Sequence, residues 1–375
     1  MSAPLQDPSV SEGALPDTSG SIEGRETAGM SQGQIVLRKF LRHQGAMISL
    51  VLLIIVIVFS FTAVGMGPIP GWWKYNFYNS SDVMNGGAPT WHLSNPFSLG
   101  EHPFGQDDIG RDNFARVLKG VQVSILMMLI MGATLLVVGV VVGALAGYYR
   151  GWVDNALMRV TDGFIMLPTI VVGAILGVLA GHLANPPLLA FVLGLILWPT
   201  LARLVRGDFL SLREREFVDS ARVAGASDFR IMFKHMLPNA MGVVIVNTTL
   251  MMSQAIVLET ALSFLGFGVH APDVSLGQLI NEYQGSFATR PWLFWWPGLF
   301  IIIVALAVNF IGDGLRDAFD PRQRKIPSAR KMARADRLLA SSANLAGPFT
   351  PGGTGDGSTR GERRRSIDDE RKDGQ

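Results

Sequence analysis

Residues 121–149 read VQVSILMMLIMGATLLVVGVVVGALAGYY, a run without one charged side chain. A helix rises 1.5 Å per residue, so about 20 apolar residues cross a hydrocarbon core about 30 Å thick. This run is long enough, and it lacks the polar face that a helix on a soluble surface turns toward water. Reading it as a membrane span decides the fold, because the pattern recurs. Uncharged blocks cover residues 44–73, 120–149, 163–202, 236–258 and 291–312. The third is about two spans long and is interrupted at 182–187 by HLANPP, a turn signal. Six spans are therefore expected, at about 46–66, 121–149, 163–181, 187–203, 238–260 and 292–312.

Composition agrees. The 375-residue chain is 49% hydrophobic and only 17% charged, with a mean hydropathy of +0.31. Soluble domains carry charge on about a quarter of their residues. The absence of cysteine excludes disulfides, thiolate nucleophiles and thiolate metal sites. Lys and Arg set the orientation. With the N-terminus inside, the inner segments hold most of the 32 basic residues; the short inner loop 203–235 has seven, and the outer loop before the last span has only Arg290. Trp72, Trp73, Trp292, Trp295 and Trp296 then fall near the outer interface, where indoles settle. The expectation is an all-α, multi-pass protein of the cell membrane, N-in and C-in. No nucleic-acid partner is expected.

Residues 1–34 are rich in Ser, Gly, Pro and acidic residues and predict a disordered inner tail. Residues 35–45 predict a short interfacial helix, 46–325 the six-span domain, and 326–375 a second, mostly disordered inner tail. The outer segment 67–119 is aromatic-rich at first and then reads HPFGQDDIGRDNFARVLKG. Residues 112–119 predict an amphipathic helix on the outer surface, with Asp112 at its positive end. Asp107 and Asp108 lack the alternating ligands of a calcium loop, which favours a capping or loop-bonding role and no metal. Gly139, Gly143 and Gly147, and then Gly173, Gly177 and Gly181, recur every four residues and predict close helix contacts. Pro168 and Pro199 predict kinks. Glu259 is the clear ionisable residue inside a span, a candidate for an outer gate or pathway.

Between the greasy blocks lies DSARVAGASDFRIMFKHMLPN, residues 219–239. Drawn as one helix, it places Ala221, Gly225, Phe229 and Met232 on one face, small in the middle and apolar beyond. A glycine inside a helix costs roughly 0.5–1 kcal/mol relative to Ala, which makes sense where something packs closely. Two readings stand: a plug for a groove on a soluble partner, or a helix lying on the bilayer.

This segment resembles the EAA loop of permease subunits in binding-protein-dependent ABC importers. That pattern runs Glu-Ala-Ala, three residues, Gly, nine residues, Ile-x-Leu-Pro. Asp219, Ser220 and Ala221 take the first three places, Gly225 the glycine, and Leu237 and Pro238 the end; His235 stands where Ile is expected. The outer motif, with Gly105, Asp107, Gly110, Arg111 and Asp112, is similar to the peptide/nickel branch. So are LETALSFLGFG at 258–268 and GDGLRDAFDPR at 312–322. The likeness covers roughly 35–325 and is strongest to the C-type permease of dipeptide and oligopeptide importers.

The resemblance implies a type I ABC importer permease fold and half of a substrate path for di- or oligopeptides. It further implies a homologous second permease, two cytoplasmic ATPase domains received by the loop 204–237, and an extracytoplasmic binding protein. ATP and Mg would be hydrolysed by partners, with no cofactor bound by this chain and no catalytic residue in it. The sequence holds no G-x-x-x-x-G-K-[ST] phosphate loop. Nickel or another small solute is the alternative cargo. A stand-alone channel or secondary transporter would need midplane ligands that the spans scarcely offer.

Overall fold

The structure, a computed structural model, describes residues 32–91, 100–180 and 185–320. Residues 1–31 and 321–375, and the first half of the 182–187 turn, lie outside the described residues, whereas residues 32–34, expected to be disordered, are the first residues of a helix. The described residues all belong to one compact unit.

Ten helices run through these residues: α1 (Gln32–Arg42), α2 (Gln44–Val64), α3 (Asn113–Tyr149), α4 (Gly151–Met166) and α5 (Thr169–Ala180), then α6 (Pro186–Leu212), α7 (Glu216–Val223), α8 (Asp228–Phe264), α9 (Leu276–Tyr283) and α10 (Trp292–Phe319). A two-residue antiparallel hairpin, β1 (Gly65–Met66) and β2 (Ile69–Pro70), follows α2. Helices α2, α3, α6, α8 and α10 are each long and apolar enough to cross a membrane. A sixth crossing exists if α4 and α5 are taken together, but they are bent by 85° at their break.

That bend corrects the expected span at 163–181, which begins inside α4 rather than at a helix start. Pro168 is the cause. The residue before a proline is pushed out of the helical region by the pyrrolidine ring, and Leu167 is extended (φ −81°, ψ 129°). Pro199, by contrast, sits within an uninterrupted α6, and so does Pro297 within α10.

A second correction concerns residues 112–119. They form no separate surface helix; 113–119 are the first turns of α3, and residues 113–118 are all buried. The outer segment folds over them. Phe114 meets Trp73 and Phe104, and Phe104 stacks on Trp296 with ring centroids 3.8 Å apart. The aromatic residues flanking the first and last long helices are thereby gathered at one end of the bundle.

The bundle is held by close helix contacts, since lipid tails supply no hydrophobic drive for helices to associate. Helices α3 and α6 pack closely along the first glycine row. A Cβ added to Gly143 would stand 2.5 Å from the Ala202 carbonyl oxygen, and one on Gly147 would stand 2.5 Å from the Phe209 Cβ. Gly139 meets Leu201 in the same way. On α5, Gly173 abuts Leu262 of α8, and Gly177 leaves no room for a side chain beside the Phe267 carbonyl. Gly181 lies outside the described residues. At the inner end, Phe40 of α1 and Ala46 of α2 pack on Ala318 of α10.

Candidate functional site

The inner segment is not one helix. α7 ends at Val223, and Gly225 has φ +76°, the left-handed region that favours glycine. The Ala226 amide donates to the Ala221 carbonyl (3.0 Å) and the Gly225 amide to the Arg222 carbonyl (2.9 Å). This is the paired closure by which a glycine stops a helix. Ser227 then precedes the helical restart at Asp228. Gly225 is thus a turn residue with nothing within 4 Å of its would-be Cβ, not a gap in mid-helix for close packing.

The turn redistributes the side chains expected on one face. Ala221 and Met232, the latter 2% exposed, face inward with Val218, Ile231 and Met236, packed on α3 and α6. Phe229 is 69% exposed and Val223 90%. Asp219 and Ser220 are exposed; Asp219 pairs with Arg222, and the Ser220 hydroxyl donates to the Glu216 carbonyl. Leu237 is half-buried and Pro238 exposed. Proline has no N–H to donate inside a helix. Around Pro238 the chain widens into a π turn at Ile231–Met236, and the Asn239 side-chain amide donates to the His235 carbonyl at 2.7 Å.

Ion pairs fasten this inner end. The Arg206 guanidinium grips Asp154 of α4 through two nitrogens, at 2.5 and 2.6 Å. Arg150 meets Glu214 (2.7 Å). Tyr148, at the inner end of α3, is buried; its hydroxyl donates to Asp228 at 2.7 Å. None of these partners, nor Val223, was marked by sequence. A long-range ion pair leaves no local spacing to read, but the Gly225–Ala226–Ser227 sequence carried a helix stop followed by a helix start.

At the opposite end the outer motif forms a knot. Asp107 accepts from the Ile109 and Arg111 amides (3.1 and 2.8 Å), from the Arg111 side chain (2.6 Å) and from the Tyr283 hydroxyl (3.0 Å). Loop bonding is therefore its observed role. Arg116 of α3 reaches Glu282 of α9 at 2.7 Å and contacts Tyr283. Burial by itself would raise the Glu282 carboxyl, but the hydrogen bond and charge of Arg116, aided by Arg111, hold it below the usual range. Asp112 caps α3 through the Ala115 amide (2.8 Å) and also accepts from the Trp73 indole (2.9 Å). His102 Nδ1 lies 2.7 Å from its second oxygen. Gly105 and Gly110 have φ +78° and +82°, and a side chain on Gly110 would collide with the Ser81 carbonyl.

Glu259 is 1% exposed. Its carboxylate accepts from Ser263 (2.8 Å) and Ser124 (3.2 Å), and Ser263 in turn accepts from the Val269 amide (3.1 Å). It ties α8 to α3 and to the segment leading toward α9. No group of three or more His, Asp or Glu fit to hold a metal occurs among the described residues.

Residues 139–325 match the family described as binding-protein-dependent transport system inner membrane component. Residues 31–87 match the N-terminal TM domain of oligopeptide transport permease C. The oligopeptide transport system permease protein OppC of Mycobacterium bovis is 35% identical over 296 residues, covering 79% of this chain and 97% of that protein. The chain belongs to the OppC-type permeases. A Mycobacterium tuberculosis OppC matches with the same figures. A putative peptide transport system permease protein of Brucella abortus is 37% identical over 78% of this chain and 93% of its own length. A chain from inward-facing conformations of the MetNI methionine ABC transporter is similar over 54% of this chain, at 21% identity and a TM-score of 0.44. As an OppC-type permease the chain is a multi-pass inner-membrane subunit of an ABC transport system.

Proposed function

We propose that this permease forms half of the transmembrane path of an ATP-driven importer of di- and oligopeptides. Its other half is a homologous permease; an extracytoplasmic binding protein delivers substrate, and two cytoplasmic ATPase domains hydrolyse ATP with Mg. The chain binds no cofactor and catalyses no reaction. Its segment from Asp219 and Ser220 through Gly225 and Phe229 to Leu237 and Pro238 receives an ATPase.

The observation that carries the docking reading is the turn at Gly225. It leaves Val223 and Phe229 exposed on either side while Ala221 and Met232 anchor the same segment in the bundle. Apolar side chains held this far out of a packed end suit the groove of a soluble partner. The permease names of the relatives support the peptide cargo. Asp107 and Arg111 lock the outer loop to α9, while Gly105, Gly110 and Asp112 shape that loop and cap α3. Glu259 acts as an outer tie whose release would free the segment after α8, a gate element rather than the lining of an open path.

Phe229→Asp, alone and with Val223→Asp, tests docking. The variants should insert and pair with the second permease as the parent does, yet lose most of the ATPase recovered on affinity capture. Undiminished ATPase recovery from both would refute the assignment of this surface.

A further inference from the structure

Three successive parts of the inner segment converge on one side chain. Arg213, just past α6, donates from Nη1 to the Tyr148 carbonyl at 2.7 Å and sets its guanidinium 5.8 Å from the Tyr148 ring centroid. Arg222, in the last turn of α7, stands 5.8 Å from that centroid as well. Asp228, the first residue of α8, accepts the phenol hydrogen bond at 2.7 Å. Between Arg222 and Asp228 lies only the Gly225 turn, with exposed Val223 at its start and exposed Phe229 just beyond it. The ring itself is 5% exposed and belongs to the cluster that joins α3, α6, α7 and α8.

Tyr148 sits at the end of α3, the 37-residue helix whose glycine face is pressed against α6. Arg222 and Asp228 stand on either side of the Gly225 turn, so a displacement of the turn bears on both. The phenol is held by both, and α3 is continuous to the outer knot at Asp112 and Arg116. A rigid helix with fixed attachments at its two ends can carry motion between them, whereas a floppy surface contact cannot.

We propose that Tyr148 is the positioning residue that joins the ATPase-docking turn to α3, so that its hydroxyl is required for ATP hydrolysis to be converted into transport. This rests on the docking reading above and adds to it the route by which movement enters the bundle. The hydroxyl matters more than the ring: cation–π contacts at the edge of a packed cluster are worth less than a hydrogen bond to a carboxylate.

The test uses the whole importer, reconstituted in proteoliposomes with its binding protein, and reads transport and ATP hydrolysis in the same preparation. Tyr148→Phe keeps the buried ring and removes only the hydroxyl. It should assemble with the ATPases, keep the complex's thermal midpoint, and lower the substrate moved per ATP by about tenfold, the weight of one hydrogen bond to a charged acceptor. Asp228→Ala, at an exposed position, removes the acceptor and should lower the same ratio. The double variant should be no worse than the more severe single one, because both remove one shared interaction. A purely structural role would lower transport and hydrolysis together and leave their ratio unchanged. An unchanged ratio in Tyr148→Phe and in Asp228→Ala would overturn the proposal. Phe229→Asp is run beside them: loss of captured ATPase there supports docking, and retained capture sinks docking whatever the Tyr148 ratio shows.

Discussion

A charged side chain survives burial only where partners replace the water it has lost. Arg116 and Asp107 are both buried, and Glu282 lies half-buried beside them. The consequence is an acid-sensitive outer knot. Glu282 is held below the ordinary range, so its ionised form favours the folded state at pH values above an unperturbed Glu, about 4.3. That stability is lost as pH falls through the lower folded-state value. The thermal midpoint in detergent should hold between about pH 7 and 5 and drop below about pH 4. Glu282→Gln should lower the neutral midpoint and flatten the acid limb; an unaltered acid limb in that variant would contradict the role given to Glu282. The sequence marked one side of this knot. Asp107, Arg111 and Asp112 stand together in a recognisable motif, whereas Arg116 and Glu282 are 166 positions apart, and nothing local connects them.

Elements were more legible than contacts. A charge-free run long enough to cross a bilayer admits few other readings, so the helices α2, α3, α6, α8 and α10 could be placed from hydropathy. Their ends could not. Asn113 and Arg116 read as surface residues because their charge or polarity is visible and the loop that buries them is not. Pro168 was read as a kink within a span, but its effect on Leu167 ends a helix and turns the chain by 85°. Gly225 misled for a related reason. A helical wheel assumes helical φ throughout, and the wheel for residues 219–239 put Ala221 beside Phe229 where the turn sends one inward and the other out. The described members of the glycine rows, Gly139, Gly143, Gly147, Gly173 and Gly177, by contrast, make the close contacts their spacing predicts. Gly143→Val places a side chain against the Ala202 carbonyl and Val205, and overpacking of this kind costs about 1–3 kcal/mol. A lowered thermal midpoint for Gly143→Val, set beside an unlowered one for Gly163→Ala at an open helical position, would show that α3 and α6 are held at that glycine. Equal midpoints would count against it.

On the scale of the whole molecule, the chain has an inner end with an exposed apolar turn, an outer end tied by ion pairs and aromatic stacking, and long helices running between them. It holds no phosphate loop in its sequence, and its intramembrane carboxylate Glu259 is enclosed by hydroxyl groups. A proton- or sodium-driven carrier commonly displays its ionisable groups to a cavity at the midplane. The arrangement here fits a subunit that is moved by others. Proteoliposomes containing the complete complex, with binding protein outside, should accumulate a labelled oligopeptide only when ATP and Mg are supplied on the side bearing Val223 and Phe229, and a proton or sodium gradient should not replace them. Uptake at the same rate without ATP, driven by such a gradient, would contradict the reading of this chain as an ATP-driven permease.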